Sequence, residues 1–190
     1  MKVNVSSEIG LLEAVLIHSP GAEVENMTPQ NAERALYSDI LNLAVANEEY
    51  DQFRKVLEKT TTTFELTDLL ERITEIPEAR QNLIKSVCRK ETSLADRLSD
   101  LSGKELVRQL IQGVLIDRNN LTKYLSKERY DLRPLHNFFF TRDSSIIING
   151  SVLISKMANK VRQREAEIMK SIFTYHPDLK SDIIGAILPR

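Results

Sequence analysis

The chain has 190 residues, 42% of them hydrophobic and 28% charged, and a formal net charge of -1. That length holds one large or two small domains with real cores, and the near-neutral balance gives no electrostatic basis for a nucleic-acid or anionic-membrane partner. The single cysteine excludes an internal disulfide framework, the stretch after Met1 is polar rather than an apolar signal region, and no apolar run approaches the roughly eighteen residues of a membrane helix, so a cytoplasmic protein is expected.

Ala14-Val15-Leu16-Ile17, set between Glu13 and Ser19-Pro20-Gly21, reads as a buried strand ending in a turn. Thr28 then stands as N-cap with Pro29 at the first helical position, where its missing N–H is harmless. Asn47 is expected to cap a second helix with Tyr50, Phe53, Val56 and Leu57 on one face. The β-branched and aromatic run 61–66 predicts a strand.

Across residues 67–130 the texture changes to leucine-spaced polar helices, four or five of them, expected to close on a small core of their own. Pro77 opens one that carries Leu83, Ile84 and Val87. Ser102-Gly103-Lys104-Glu105 is a capping box ahead of an apolar stripe of Leu106, Val107, Leu110, Ile111, Val114 and Leu115.

Next comes an aromatic, strand-like run, Pro134-Leu135-His136-Asn137-Phe138-Phe139-Phe140, ending in Thr141-Arg142-Asp143. Such a strand delivers opposite charges to one place. Asn149-Gly150 is a strong two-residue hairpin signal, because the turn favours positive φ, and it makes Ile146–Ile148 and Val152–Ile154 paired strands that both read as buried. Val161, Ile168, Met169, Ile172 and Phe173 mark one face of a helix that Tyr175-His176-Pro177 ends. The last apolar run, 183–188, stops at Pro189-Arg190, so a strand there is expected to lack its neighbour.

The run Asn137-Phe138-Phe139-Phe140-Thr141-Arg142-Asp143, with Arg162 nineteen residues after the aspartate, resembles the arginine deiminase family of the guanidino-group-modifying (pentein, amidinotransferase) superfamily. The opening Ser7-Glu8-Ile9-Gly10-Leu11-Leu12-Glu13-Ala14-Val15-Leu16-Ile17-His18-Ser19-Pro20-Gly21 is similar to that family's opening. Family chains are roughly twice as long, so this sequence looks like an N-terminal half. The resemblance implies an α/β fold, a partial α/β-propeller of ββαβ units in which 1–66 and 131–190 are parts of the catalytic domain and 67–130 is an inserted helical bundle. It further implies hydrolysis of L-arginine to L-citrulline and ammonia through a covalent cysteine intermediate, with no metal or organic cofactor. The nucleophile and the catalytic histidine belong to the other half, which becomes an expected partner, and homo-oligomerisation stays open. A non-catalytic pentein fragment serving as a binding module or subunit, or an amidinotransferase, is the alternative reading.

Taken alone, Arg142 and Asp143 are a solvated charged pair more often than a site. A guanidinium substrate changes the weighing, because a carboxylate accepts two parallel N–H bonds from it. The resemblance gives Asp143 the role of holding the substrate guanidinium and taking part in proton transfer. It gives Arg162 the grip on the substrate α-carboxylate, with Arg164 as the alternative register, and it places Asn137, Phe140 and the loop residue Leu36 against substrate. Cys88 lies in the helical stretch with no histidine near it in sequence and reads as structural. His18, His136 and His176 are too widely spaced to suggest a metal set.

Overall fold

The computed structural model describes residues 3–25, 41–88, 92–117, 120–125 and 128–185. Thr28, Pro29 and Leu36 lie outside the described residues. Strand β1 (Ala14–Ile17) runs parallel to β2 (Thr62–Glu65), with Ala14 opposite Thr62 and Ile17 opposite Glu65. Among the described residues, two helices lie between them in the chain, α1 (Ala22–Glu25) and α2 (Leu43–Glu58). The cap of α2 is Asn42 rather than Asn47: its extended backbone lets the side chain accept from the N–H groups of Ala44 at 3.0 Å and Val45 at 3.2 Å. Phe53 and Val56 stay exposed on this helix, while the Tyr50 hydroxyl accepts the N–H of His18 at 3.2 Å.

Helix α3 (Leu66–Thr74) follows β2 directly, so Leu66 begins a helix instead of ending the expected strand. Glu65, at the junction, does not cap it; its carboxylate turns instead to Ser19, accepting the N–H at 3.0 Å and the hydroxyl at 2.9 Å. Then come α4 (Pro77–Cys88), α5 (Thr92–Ser99) and α6 (Gly103–Gln112). The Ser102 hydroxyl accepts the N–H of Glu105 at 3.2 Å, but the glutamate reaches outward to Arg108 at 2.8 Å, so only half of the box forms.

Gly113 ends α6 with φ of +87°, a conformation that favours glycine, and a Cβ there would sit 2.6 Å from the carbonyl oxygen of Leu132. The backbone thus leaves the helix early. Val114 and Leu115 form the short strand β3, antiparallel to β4 (Tyr130–Leu132), so Leu115 does not continue the helical stripe. Helix α7 (Leu121–Leu125) lies between these strands.

The run at 137–140 is not the strand its aromatics suggest. Successive turns form instead: Phe138 N–H donates to Leu135 O at 3.1 Å, Phe140 N–H to Asn137 O at 3.0 Å and Asp143 N–H to Phe140 O at 3.1 Å. Turning puts Phe138 fully inside, its ring 5.2 Å from that of His18, and leaves Phe140 48% exposed, a division that propensity alone does not foresee.

The turns lead into α8 (Thr141–Ser144), β5 (Ser145–Ile148), β6 (Ser151–Ile154), a 3-10 turn (Lys160–Arg162), α9 (Gln163–Tyr175) and β7 (Asp182–Gly185). The sheet order is β5-β6-β7, the first pair antiparallel and the second parallel. Asn149 takes φ of +50° in the hairpin. β7 therefore has a neighbour after all, with Ser151 opposite Asp182. The expected burial of both hairpin strands holds on one face only: Val152 is buried, whereas Ile146 and Ile148 are 39% and 46% exposed, as strand alternation requires where one face is uncovered.

Helices α3, α4 and α6 do not close on a separate core. Leu70, Leu83, Leu106 and Leu110 belong to one continuous apolar cluster with Val152, Ile168 and Ile172, because α9 packs against both α3 and α4.

Candidate active site

Asp143 sits on the single turn of α8, which is held from both sides. The Thr141 hydroxyl donates to the carbonyl of Leu16 on β1 at 3.2 Å, the Ser144 hydroxyl donates to Thr141 O at 2.9 Å, and Ser155 N–H donates to Ser144 O at 3.1 Å. Arg162 closes the 3-10 turn and stands at the N-cap of α9, a helix anchored in the core. Its side chain is 12% exposed and donates through Nη1 to Asp143 Oδ2 at 2.6 Å, while the Asp143 side chain is 50% exposed. Arg142, next to the aspartate, points away and pairs with Glu8 at 2.6 Å on the surface.

Further contacts, to Glu165 and Asn137, fix Arg162. Nε donates to Glu165 at 3.0 Å, Nη2 to Glu165 Oε2 at 2.8 Å, and Nη2 also to the backbone carbonyl of Asn137 at 3.3 Å. Glu165 is buried, and burial raises its pKa while Arg162 opposes that rise. Burial likewise acts to lower the pKa of Arg162, but Glu165 and Asp143 outweigh it and hold the value above that of an ordinary arginine. This guanidinium is a permanent cation.

Asp143 and Arg162 edge an open cleft of about 800 Å³ whose other wall is the 155–160 loop, including Lys156 and Lys160. Asn137 is buried behind the pair and meets it through its carbonyl, while Phe140 lies against Phe139 with ring centroids 4.2 Å apart. Arg164 goes elsewhere: it donates to Leu110 O at 3.0 Å, its Nε is buried with no partner among the described residues, and burial pushes its pKa down to about 10. Of the two arginines considered from sequence, the structure brings Arg162 to Asp143.

Cys88 is buried in the core and does not line the cleft. The three histidines are buried as well. His18 is held between two carboxylates, Nε2 at 3.2 Å from Glu23 and Nδ1 at 3.3 Å from Glu65; burial lowers its pKa, yet the two glutamates outweigh that and raise it to about 9. Its neighbour Glu23 also offers its backbone carbonyl to His136 Nδ1, which ties this network to the segment leading into Asp143. Among the described residues, no three His, Cys, Asp or Glu side chains are grouped to hold a metal ion, and no helix is long and apolar enough to cross a membrane.

Sequence reading missed Glu165 and the lysine-bearing loop. Glu165 carried a usable signal, since residues three apart on a helix meet on its surface, and it stands three after Arg162. The network of His18, Glu23 and Glu65 carried none, because Glu65 arrives from 47 residues away.

The molecule is thus a mixed α/β protein whose described residues include an open cleft edged by opposite charges. A family model described as Arginine deiminase matches residues 33–187. Arginine deiminase 1 of Staphylococcus epidermidis is 34% identical over 205 residues, covering 99% of this chain and 49% of its own. Arginine deiminase of Borreliella afzelii (strain PKo) is 34% identical over 197 residues, covering 95% and 48%, and that of Staphylococcus aureus (strain JH9) is 32% identical over 203 residues, covering 99% and 49%. The chain belongs to the arginine deiminase family, and it spans about half the length of the curated relatives it matches.

Proposed function

We propose that this chain supplies the substrate-holding wall of an arginine deiminase, with L-arginine as substrate. The observation that carries the reading is the 2.6 Å contact between Asp143 and a guanidinium at the edge of the cleft, since a carboxylate that already receives one guanidinium there is shaped to receive another. Asp143 holds the reacting guanidinium and handles protons; Arg162 meets the α-carboxylate; Asn137, Phe140 and Leu36 contact the bound substrate. In the reaction, a cysteine thiolate forms a C–S bond to the guanidinium carbon, and the terminal C–N bond breaks as ammonia leaves with a proton. Water then adds its oxygen to the same carbon, the C–S bond breaks, and citrulline and thiolate are released.

Neither Cys88 nor the three histidines are suited to this chemistry, so the nucleophile and base come from a further segment that completes the site. The strand, strand, helix, strand order of β5, β6, α9 and β7 supports placing 131–190 with 1–66 in a partial α/β-propeller of the pentein type, with 67–130 as its helical insertion. The test is Asp143→Asn in the protein as its gene encodes it. With the site enclosed by that further segment, loss of one partner of a carboxylate–guanidinium pair costs on the order of 3 kcal/mol or more, so kcat/KM for arginine is expected to fall by at least about two powers of ten. Retention of wild-type kcat/KM would remove the assignment.

A further inference from the structure

The five N–H donors of Arg162 are divided unequally. Its Nε–Nη2 edge is taken by the buried carboxylate of Glu165, with Nη2 also on the Asn137 carbonyl, while Nη1 alone faces Asp143 and the cleft. An exposed arginine is free to rotate about four bonds and to present either edge. This one is fixed by a counterion that is 1% exposed and three residues along the same helix. The two acceptors differ in a way that matters: Glu165 is enclosed and engaged by two nitrogens, Asp143 is half exposed and engaged by one.

We infer that Glu165 is a positioning residue for substrate recognition, holding Arg162 by its Nε–Nη2 edge so that Nη1 is the donor left to the cleft, shared in turn between Asp143 and the carboxylate of the ligand. The inference rests on the proposed roles of Asp143 and Arg162. In the structure the protein's own guanidinium sits on Asp143, the seat assigned to the substrate guanidinium. When the substrate takes that seat, Nη1 is released from Asp143 and becomes available to the substrate's carboxylate. Arg162 does not lose its charge balance in this exchange, because Glu165 stays bound throughout. The fork that gives arginine its usual advantage over lysine is therefore spent on Glu165, and the ligand receives a single, well-aimed donor.

The test is steady-state kinetics of Glu165→Gln, in the protein as its gene encodes it, on L-arginine and on its decarboxylated analogue. Glutamine keeps the shape but replaces one acceptor oxygen by a donor that faces Nε or Nη2, so Arg162 loses its fixed orientation. The expected result is a rise in KM for arginine of about tenfold or more, with kcat and the kinetics of the decarboxylated analogue nearly unchanged, as follows from losing one charge-assisted hydrogen bond that only the carboxylate-bearing substrate uses. A residue with a merely structural role would lower the rates on both substrates together, and that outcome overturns the inference. Glu165→Asp, which keeps the charge and shortens the reach, carries the same test if the glutamine variant fails to fold. Arg162→Lys separates the two levels. If it leaves the preference for arginine over the analogue intact, the role of Arg162 itself fails; if it abolishes the preference while Glu165→Gln does not, the positioning role alone fails.

Discussion

His18 offers a measurable link between the buried network and pH. Its imidazole is 2% exposed and lies between Glu23 and Glu65, with Ser19 and the Tyr50 hydroxyl also at the site and Phe138 against its ring. A pKa raised from 6.5 to about 9 means that the folded protein holds the proton more tightly than the unfolded chain. The stabilisation is complete below pH 6.5, where both states are protonated, and it declines as pH rises from there through about 9. At about 1.4 kcal/mol per pH unit the difference amounts to on the order of 3 kcal/mol. For a chain of this size that corresponds to roughly 6–12 °C in Tm. Two groups near His18 are moved away from the window: against the effect of burial, His18 and Ser19 hold Glu65 below the ordinary glutamate range, and burial pushes Tyr50 above the ordinary tyrosine value. His176, lowered by burial and by Arg72, is the same in both proteins and so drops out of the comparison. The assay is thermal unfolding by circular dichroism at pH 6.5 and 9 for the wild type and His18→Gln. The wild type is expected to lose about 6–12 °C more than the variant across that interval. Parallel decline of the two proteins would refute the claim that His18 carries a proton in the fold.

Gly113→Ala is expected to lower stability in urea unfolding by about 1–3 kcal/mol from backbone strain alone, since φ is +87° there and the added Cβ would meet Leu132 O at 2.6 Å and Pro134 N at 2.8 Å, both backbone atoms that do not yield. A change within about 0.5 kcal/mol, the range of an ordinary surface substitution, would show that the turn relaxes freely. The 190-residue chain on its own is expected to form no citrulline from arginine, with or without Cys88→Ala. Citrulline release that vanishes in Cys88→Ala would make that buried thiol the nucleophile.

How far the sequence could be read depended on whether the signal was local. β1 was legible because four apolar residues are bounded by Glu13 and a Ser-Pro-Gly turn, and α6 and α9 because their apolar residues recur at helical spacing. The hairpin followed from Asn-Gly, whose asparagine takes the positive φ that the dipeptide supplies. The segment 137–140 was misread because three phenylalanines weigh toward strand, while the turn is decided by a distant contact: Phe138 is drawn inward against His18, which belongs to the end of β1. Likewise the cap of α2 was assigned to Asn47 when Asn42 is the one placed in extended backbone. The partition of Arg162 between two carboxylates was out of reach, because it depends on α8 and the start of α9 being brought together by the sheet of β5 and β6.

That partition also answers a difficulty in placing a cation where Arg162 stands. The first turn of a helix carries a partial positive charge from its unpaired N–H groups, which favours an acid and disfavours a base. Glu165 is well placed by this rule, in the first turn of α9, and Arg162, at the N-cap, is not. Removing water from the guanidinium adds to the cost, since its side chain is only 12% exposed. The buried glutamate offsets both effects by accepting from two nitrogens of the cation, and Asp143, on a separate element, accepts from the third. An arginine held in this way keeps its place whether or not Asp143 is occupied. Under the role proposed for Asp143, one guanidinium would replace another there without rebuilding the wall behind it.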